Sequence, residues 1–216
     1  MNRRVYILLL VTFVFAASNA QKKTITSFIP KDYDTLQTVK GDLNKDGIED
    51  VVLALYHKME NEELENINVD SIPKRVLIIL LASKSGYRQV VKTSNALLCK
   101  NCGGVFGDPY AGLSITKSVL TISHYGGSAW RWSYNHKFRL QNNNWFLIGQ
   151  TSHSYWNVKQ CEALDDFAGT DFEDVNFVTG QYETKKISEE CELLENKKGK
   201  RKVQPLQTIS KFTIDN

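Results

Sequence analysis

Between residues 130 and 140 the chain alternates without a break. Trp130, Trp132, Tyr134, His136, Phe138 and Leu140 fall on one side of an extended backbone, and Arg131, Ser133, Asn135, Lys137 and Arg139 fall on the other. A period of two with polar residues opposite apolar ones predicts a half-buried antiparallel strand. Buried aromatics dominate such faces, so Trp130 and Trp132 are expected in the core. The run 75–82 is different: it is continuously apolar after Arg75 and bounded by turn residues, which predicts a strand buried on both faces. Shorter strands are expected at 35–40, 51–57, 87–92, 113–117, 119–125, 145–151, 175–179 and 182–187, set off by Gly and Asn turns. Residues 21–34 read as a polar lead-in arm. The segment 58–74, with Glu60, Glu62, Glu63, Glu65 and Asp70, reads as a solvated acidic connection holding at most one helical turn. The nearest helix candidate, 188–195, is short, and the basic run 197–202 predicts an exposed hairpin tip. The expected fold is all-β, an antiparallel meander forming a curled sheet or sandwich, in a single β-rich domain over 21–216.

The first twenty residues change where that domain is expected to work. Arg3 and Arg4 precede an almost wholly apolar stretch from Val5 to Ala17, and Ser18 and Ala20 are small residues before a cut at Gln21. That is a signal-peptide pattern, and the apolar stretch is shorter than the roughly 20 residues needed to span a bilayer. The expectation is a periplasmic or secreted protein with no membrane span after cleavage. Loss of Arg3 and Arg4 reduces 27 basic residues to 25 against 24 acidic ones. A chain so near neutrality lacks the basic excess of a nucleic-acid-binding domain. Four cysteines in an exported chain favour disulfides, with three possible connectivities. Cys99–Cys102 and Cys161–Cys191 are the expected pairs, the second closing a long loop and stabilising by about 3–4 kcal/mol. The C-x-x-C at Cys99 is followed by Gly103-Gly104 and has no second ligand pair, so a structural bridge is favoured over redox or zinc chemistry.

One stretch carries a more specific signal. In Gly41-Asp42-Leu43-Asn44-Lys45-Asp46-Gly47-Ile48-Glu49-Asp50, oxygen-bearing side chains occupy positions 1, 3, 5 and 9 of a loop that bends at a glycine. Calcium takes six to eight hard oxygens. Asp42, Asn44, Asp46 and Asp50, with the backbone carbonyl of Ile48, could supply most of them. The loop departs from an EF-hand because Leu53 stands where that motif needs a bidentate Glu, and because a strand follows it. Residues 41–52 resemble the calcium hairpin of FG-GAP (integrin-type) and VCBS repeats, and the resemblance implies Ca²⁺ ligands at Asp42, Asn44, Asp46 and Asp50. It covers one short copy, so a full propeller is not expected. The chain as a whole resembles exported proteins of Gram-negative bacteria.

Two further regions could carry chemistry. Residues 124–132 place Tyr125 and Arg131 beside a glycine turn, where they are candidates to contact a sugar. A hydrolase could be assembled from Ser128, His124 and Asp108, with loops 103–112 and 124–132 as its cleft, but no nucleophile-elbow motif surrounds the serine. The favoured expectation is therefore a non-enzymatic binding or interaction module with a structural calcium hairpin and an unknown protein or glycan ligand. The alternative is a small secreted hydrolase acting on glycans.

Overall fold

The structure, a computed structural model, describes residues 23–61 and 72–214. The expected signal peptide and Glu62, Glu63, Glu65 and Asp70 lie outside the described residues.

Two strands with no polar face in the middle decide the architecture. β1 (Tyr33–Gly41) is followed by β2 (Asp50–His57), β3 (Val76–Ser83) and β4 (Gly86–Thr93). From Val51 to Leu55 and from Val76 to Leu80 every residue is buried, so both faces of the pair must be covered. On the inner face, Val52, Ala54, Leu77 and Ile79 join the main core with Leu113, Leu120, Ile122, Phe138 and Trp145 of the second sheet. On the outer face, Val51, Leu53, Leu55, Ile78 and Leu80 form a second cluster beneath Ile25, Phe28, Ile29 and Tyr33. The segment expected to be a polar arm is thus a cover. Full burial of one such aliphatic side chain contributes about 1.5–3 kcal/mol, which explains why the arm is held down.

The second sheet contains β5 (Tyr110–Thr116), β6 (Val119–Gly127), β7 (Trp130–Gln141), β8 (Asn144–Cys161), β9 (Asp166–Asn176), β10 (Gln181–Ile187) and β11 (Leu193–Lys200). Among the described residues the strands form two antiparallel meanders, β1-β2-β3-β4 and β5 through β11, neither closed into a barrel. The all-β expectation holds.

Edges β1 and β5 are joined by the hydrogen bonds of one side chain. Gln37 donates from Nε2 to the Leu113 carbonyl at 3.2 Å, while its Oε1 accepts from the Leu113 amide at 2.7 Å and the Tyr110 hydroxyl at 2.6 Å. An amide side chain here imitates a strand's backbone and splices the sheets. Gln37→Leu is expected to leave three half-buried polar groups unmatched and to cost about 2–3 kcal/mol, read as a lower urea midpoint with an unchanged slope.

Several expectations are corrected. β8 runs to Cys161 rather than residue 151, and β9 begins at Asp166 rather than 175. Residues 188–195 are not a helix, and the basic run lies largely in edge strand β11. Glu60 is buried, not solvated, within a 3-10 turn at Lys58–Asn61. Trp130 is 43% exposed and Trp132 only half-buried, so neither is core, while Trp145 is buried. Both disulfides form as expected, Cys99–Cys102 and Cys161–Cys191, the latter tying the end of β8 to the turn before β11.

Candidate functional site

The hairpin between β1 and β2 is built from its own side chains. Asp42 accepts the Lys45 and Asp46 amides on Oδ1, at 2.6 and 3.2 Å, and the Gly47 amide on Oδ2 at 2.9 Å. Asn44 Oδ1 accepts from the Asp46 amide, and Asp46 Oδ1 from the Ile48 amide. Gly47 turns with φ +81°, a conformation that glycine adopts without penalty. Leu43 is 2% exposed and pins the loop to the core.

Asp50 differs from the other three. It is fully buried, accepting the Leu43 amide on Oδ2 at 2.9 Å and the Ala82 amide on Oδ1 at 2.8 Å. Burial pushes its pKa up and the negative charge of Asp46 adds to that, while the amides of Ala82, Leu43 and Asn44 work against them. Among the described residues no lysine or arginine pairs with it. Nor, among those residues, do three or more His, Cys, Asp or Glu side chains stand close enough together to hold a metal. The donor chemistry fits a hard cation nonetheless: every candidate is an oxygen, and a carboxylate oxygen that accepts one amide keeps further acceptor capacity.

Tyr125 and Arg131 do come together. The Arg131 guanidinium lies 3.8 Å over the Phe106 ring, and Phe106 meets Tyr125 edge-on at 5.4 Å. Arg131 Nε and Nη1 are buried with no hydrogen-bond partner. The hydrolase constellation is not assembled. Arg131 pairs with Gly127 and His124 with Tyr134, which puts the arginine and the histidine on opposite faces of their strands. Asp108 is engaged with Arg75 through bonds of 2.8 Å, and Ser128 is exposed beyond the end of β6.

A further site had no clear sequence signal. The small sheet covers only part of the large one. Beyond His136 and Gln150 the same face continues uncovered through Tyr134–Ser152 and Trp132–Ser154 to Trp130–Trp156, and across to Asp171 and Glu173 of β9. This produces a trough of about 340 Å³ whose lining includes Tyr134, Ser152, Ser154, Asp171, Glu173 and Lys186. Its polar residues alternate with others along long strands, which looks from the sequence like ordinary solvent exposure.

Comparison with known proteins adds no guide: no family model, no curated protein and no solved structure matches the chain. Among the described residues no helix is long and apolar enough to cross a membrane. The two disulfides are compatible with an oxidising, exported location.

Proposed function

We propose that this is an exported, non-enzymatic binding module whose β1–β2 hairpin takes calcium as a structural clamp. Asp42, Asn44, Asp46, the Ile48 carbonyl and Asp50 would hold the ion, as the likeness to FG-GAP and VCBS hairpins implies. When bound, the ion supplies positive charge to the acidic turn and no reaction chemistry. The observation that carries the reading is Asp50, a fully buried carboxylate whose pKa is raised and which has no basic partner among the described residues. A buried anion without a counter-charge is costly, and a hard cation beside Asp46 offsets that cost.

Thermal unfolding in EDTA and then in millimolar calcium tests this, with Asp46→Ala alongside. Sites in extracellular modules bind at about 10⁻⁴–10⁻³ M. Ten times Kd of free ion adds about 1.4 kcal/mol, or about 3–6 °C in a chain of this size. The rise should be absent in the variant. An unchanged midpoint in the natural protein, with no calcium binding by calorimetry, would reduce the hairpin to a turn.

A further inference from the structure

The trough has three properties that together specify a ligand class. Its floor is uncommitted: among the described residues the hydroxyls of Tyr134, Ser152 and Ser154 make no hydrogen bond within the protein. Its walls are charged but cancel, because Asp171 is paired with Lys186 at 3.0 Å and Glu173 with Arg201 at 2.6 Å. Exposed pairs of this kind contribute little to stability, but they hold carboxylate oxygens and cationic N–H groups in fixed places. Its rim is aromatic: Trp132 lies 5.4 Å from Tyr134, and the next pair along the same face, Trp130 and Trp156, is stacked with planes 17° apart.

Each property excludes something. An apolar ligand would strand the floor hydroxyls and the ion pairs out of water. A strongly charged ligand meets a wall whose charges are already matched. A neutral polyhydroxylated ring fits all three features. Its hydroxyls can donate to Asp171 and Glu173 and accept from Lys186 and the serines, while its C–H face rests on an aromatic ring. The trough crosses β7 to β10, three strand spacings or about 14 Å, enough for two sugar rings. Trp130 is held at the surface by a specific device: its ring packs against Gly169, where any Cβ would lie 2.3 Å from the indole.

We propose that this trough binds a neutral oligosaccharide through Tyr134, Ser152, Ser154, Asp171 and Glu173, with the tryptophans as its platform. The inference rests on reading the chain as a binding module and is independent of calcium. The purified protein is titrated with cellobiose, maltose and di-N-acetylchitobiose in turn at millimolar concentration. Tryptophan fluorescence, backbone NMR shifts and release of monosaccharide are followed. The expected result is saturable binding to at least one disaccharide, with shifts centred on residues 132–134, 152–154 and 171–173. Ser154→Val and Asp171→Asn should each weaken it about tenfold, and Tyr125→Phe on the opposite face should leave it unchanged. The site is overturned by no saturable shift with any of the three, by shifts confined to the Tyr125 face, or by binding indifferent to Ser154→Val and Asp171→Asn in folded protein. Accumulating monosaccharide together with trough-centred shifts would keep the site and refute the non-enzymatic reading.

Discussion

Replacing Arg75 with methionine should destabilise the protein by about 3–5 kcal/mol, the cost of leaving a buried charge without its partner. Arg75 is 2% exposed, and its guanidinium has two carboxylates around it. Nε and Nη2 donate to Glu60 at 2.9–3.2 Å, and Nη1 and Nη2 donate to Asp108 at 2.8 Å each. The group fastens three distant segments: the turn after β2, the start of β3 and the loop entering β5. Burial alone would raise the Asp108 pKa, but the bonds from Arg75 and the Tyr110 amide hold it below the ordinary carboxylate value. Asp108 is partly exposed and can turn to water once released, whereas Glu60, 7% exposed, cannot. The loss therefore sits at Glu60, and the double variant Arg75→Met, Glu60→Leu should recover most of it. Urea unfolding of both variants decides the matter. A double variant as unstable as the single one would show that packing around the arginine, not the stranded charge, is what counts.

Acid should weaken the fold well before the carboxylates of the surface titrate. His124 and His136 are 1% and 5% exposed on the core face of β6 and β7. Burial pushes both down to about 4. His124 also faces His136 and Arg75, which lower it further, and Asp108, which raises it. Its Nε2 accepts the Leu98 amide at 3.3 Å, so a proton there breaks a bond, and Nδ1 has no partner. His136 packs against Phe212 and Tyr134, and a hydrogen bond accepted by Gln150 only partly offsets its burial. The sign follows from which state binds the proton. The unfolded chain takes one up near pH 6.5 and the folded chain does not, so stability is full above about 6.5 and falls as pH drops towards 4. Each histidine contributes on the order of 3 kcal/mol to that loss. The raised Asp50 works in the opposite direction, since protonating it relieves a buried charge. Urea midpoints at about pH 7 and about pH 4.5 should differ strongly, and His136→Gln should remove roughly half of the difference. Equal midpoints in the natural protein would mean that the imidazoles are hydrated and charge freely.

The parts of this fold that were legible in the sequence are those where one energetic demand dominates. β3 shows itself because nothing polar interrupts it, and β7 because aromatic and apolar residues hold one face throughout, although only its second half, from His136 on, is covered by the core. The hairpin at Asp42 shows itself because turn geometry restricts the choice of residue at every second place. The far half of the large sheet lacks such a demand. Residues 152–160 are half-exposed or exposed, and in 166–174 only Ala168 and Thr170 are buried, so no sustained alternation marks them, and Gly169 interrupts β9 to admit the Trp130 ring. β11 hides for a related reason: Lys197, Lys198 and Lys200 guard an exposed edge, and charge runs of that kind read as a loop. Glu60 reads as solvated in the sequence because its partner, Arg75, lies fifteen residues away, and no local pattern announces a pairing at that distance. The trough combines both difficulties, since its residues come from four strands and none is unusual alone.

The cover formed by Ile25, Phe28, Ile29 and Tyr33 bears on how the chain survives before it is folded. The outer face of β2 and β3 is a sticky plate of branched aliphatics, the kind of surface that recruits other copies into aggregates. A polypeptide that emerges N-terminus first presents residues 25–33 before either strand of the plate exists. The shield is therefore tethered at hand when the hazard appears, and the interval in which the plate could meet a neighbouring molecule is as short as the chain's direction of synthesis allows.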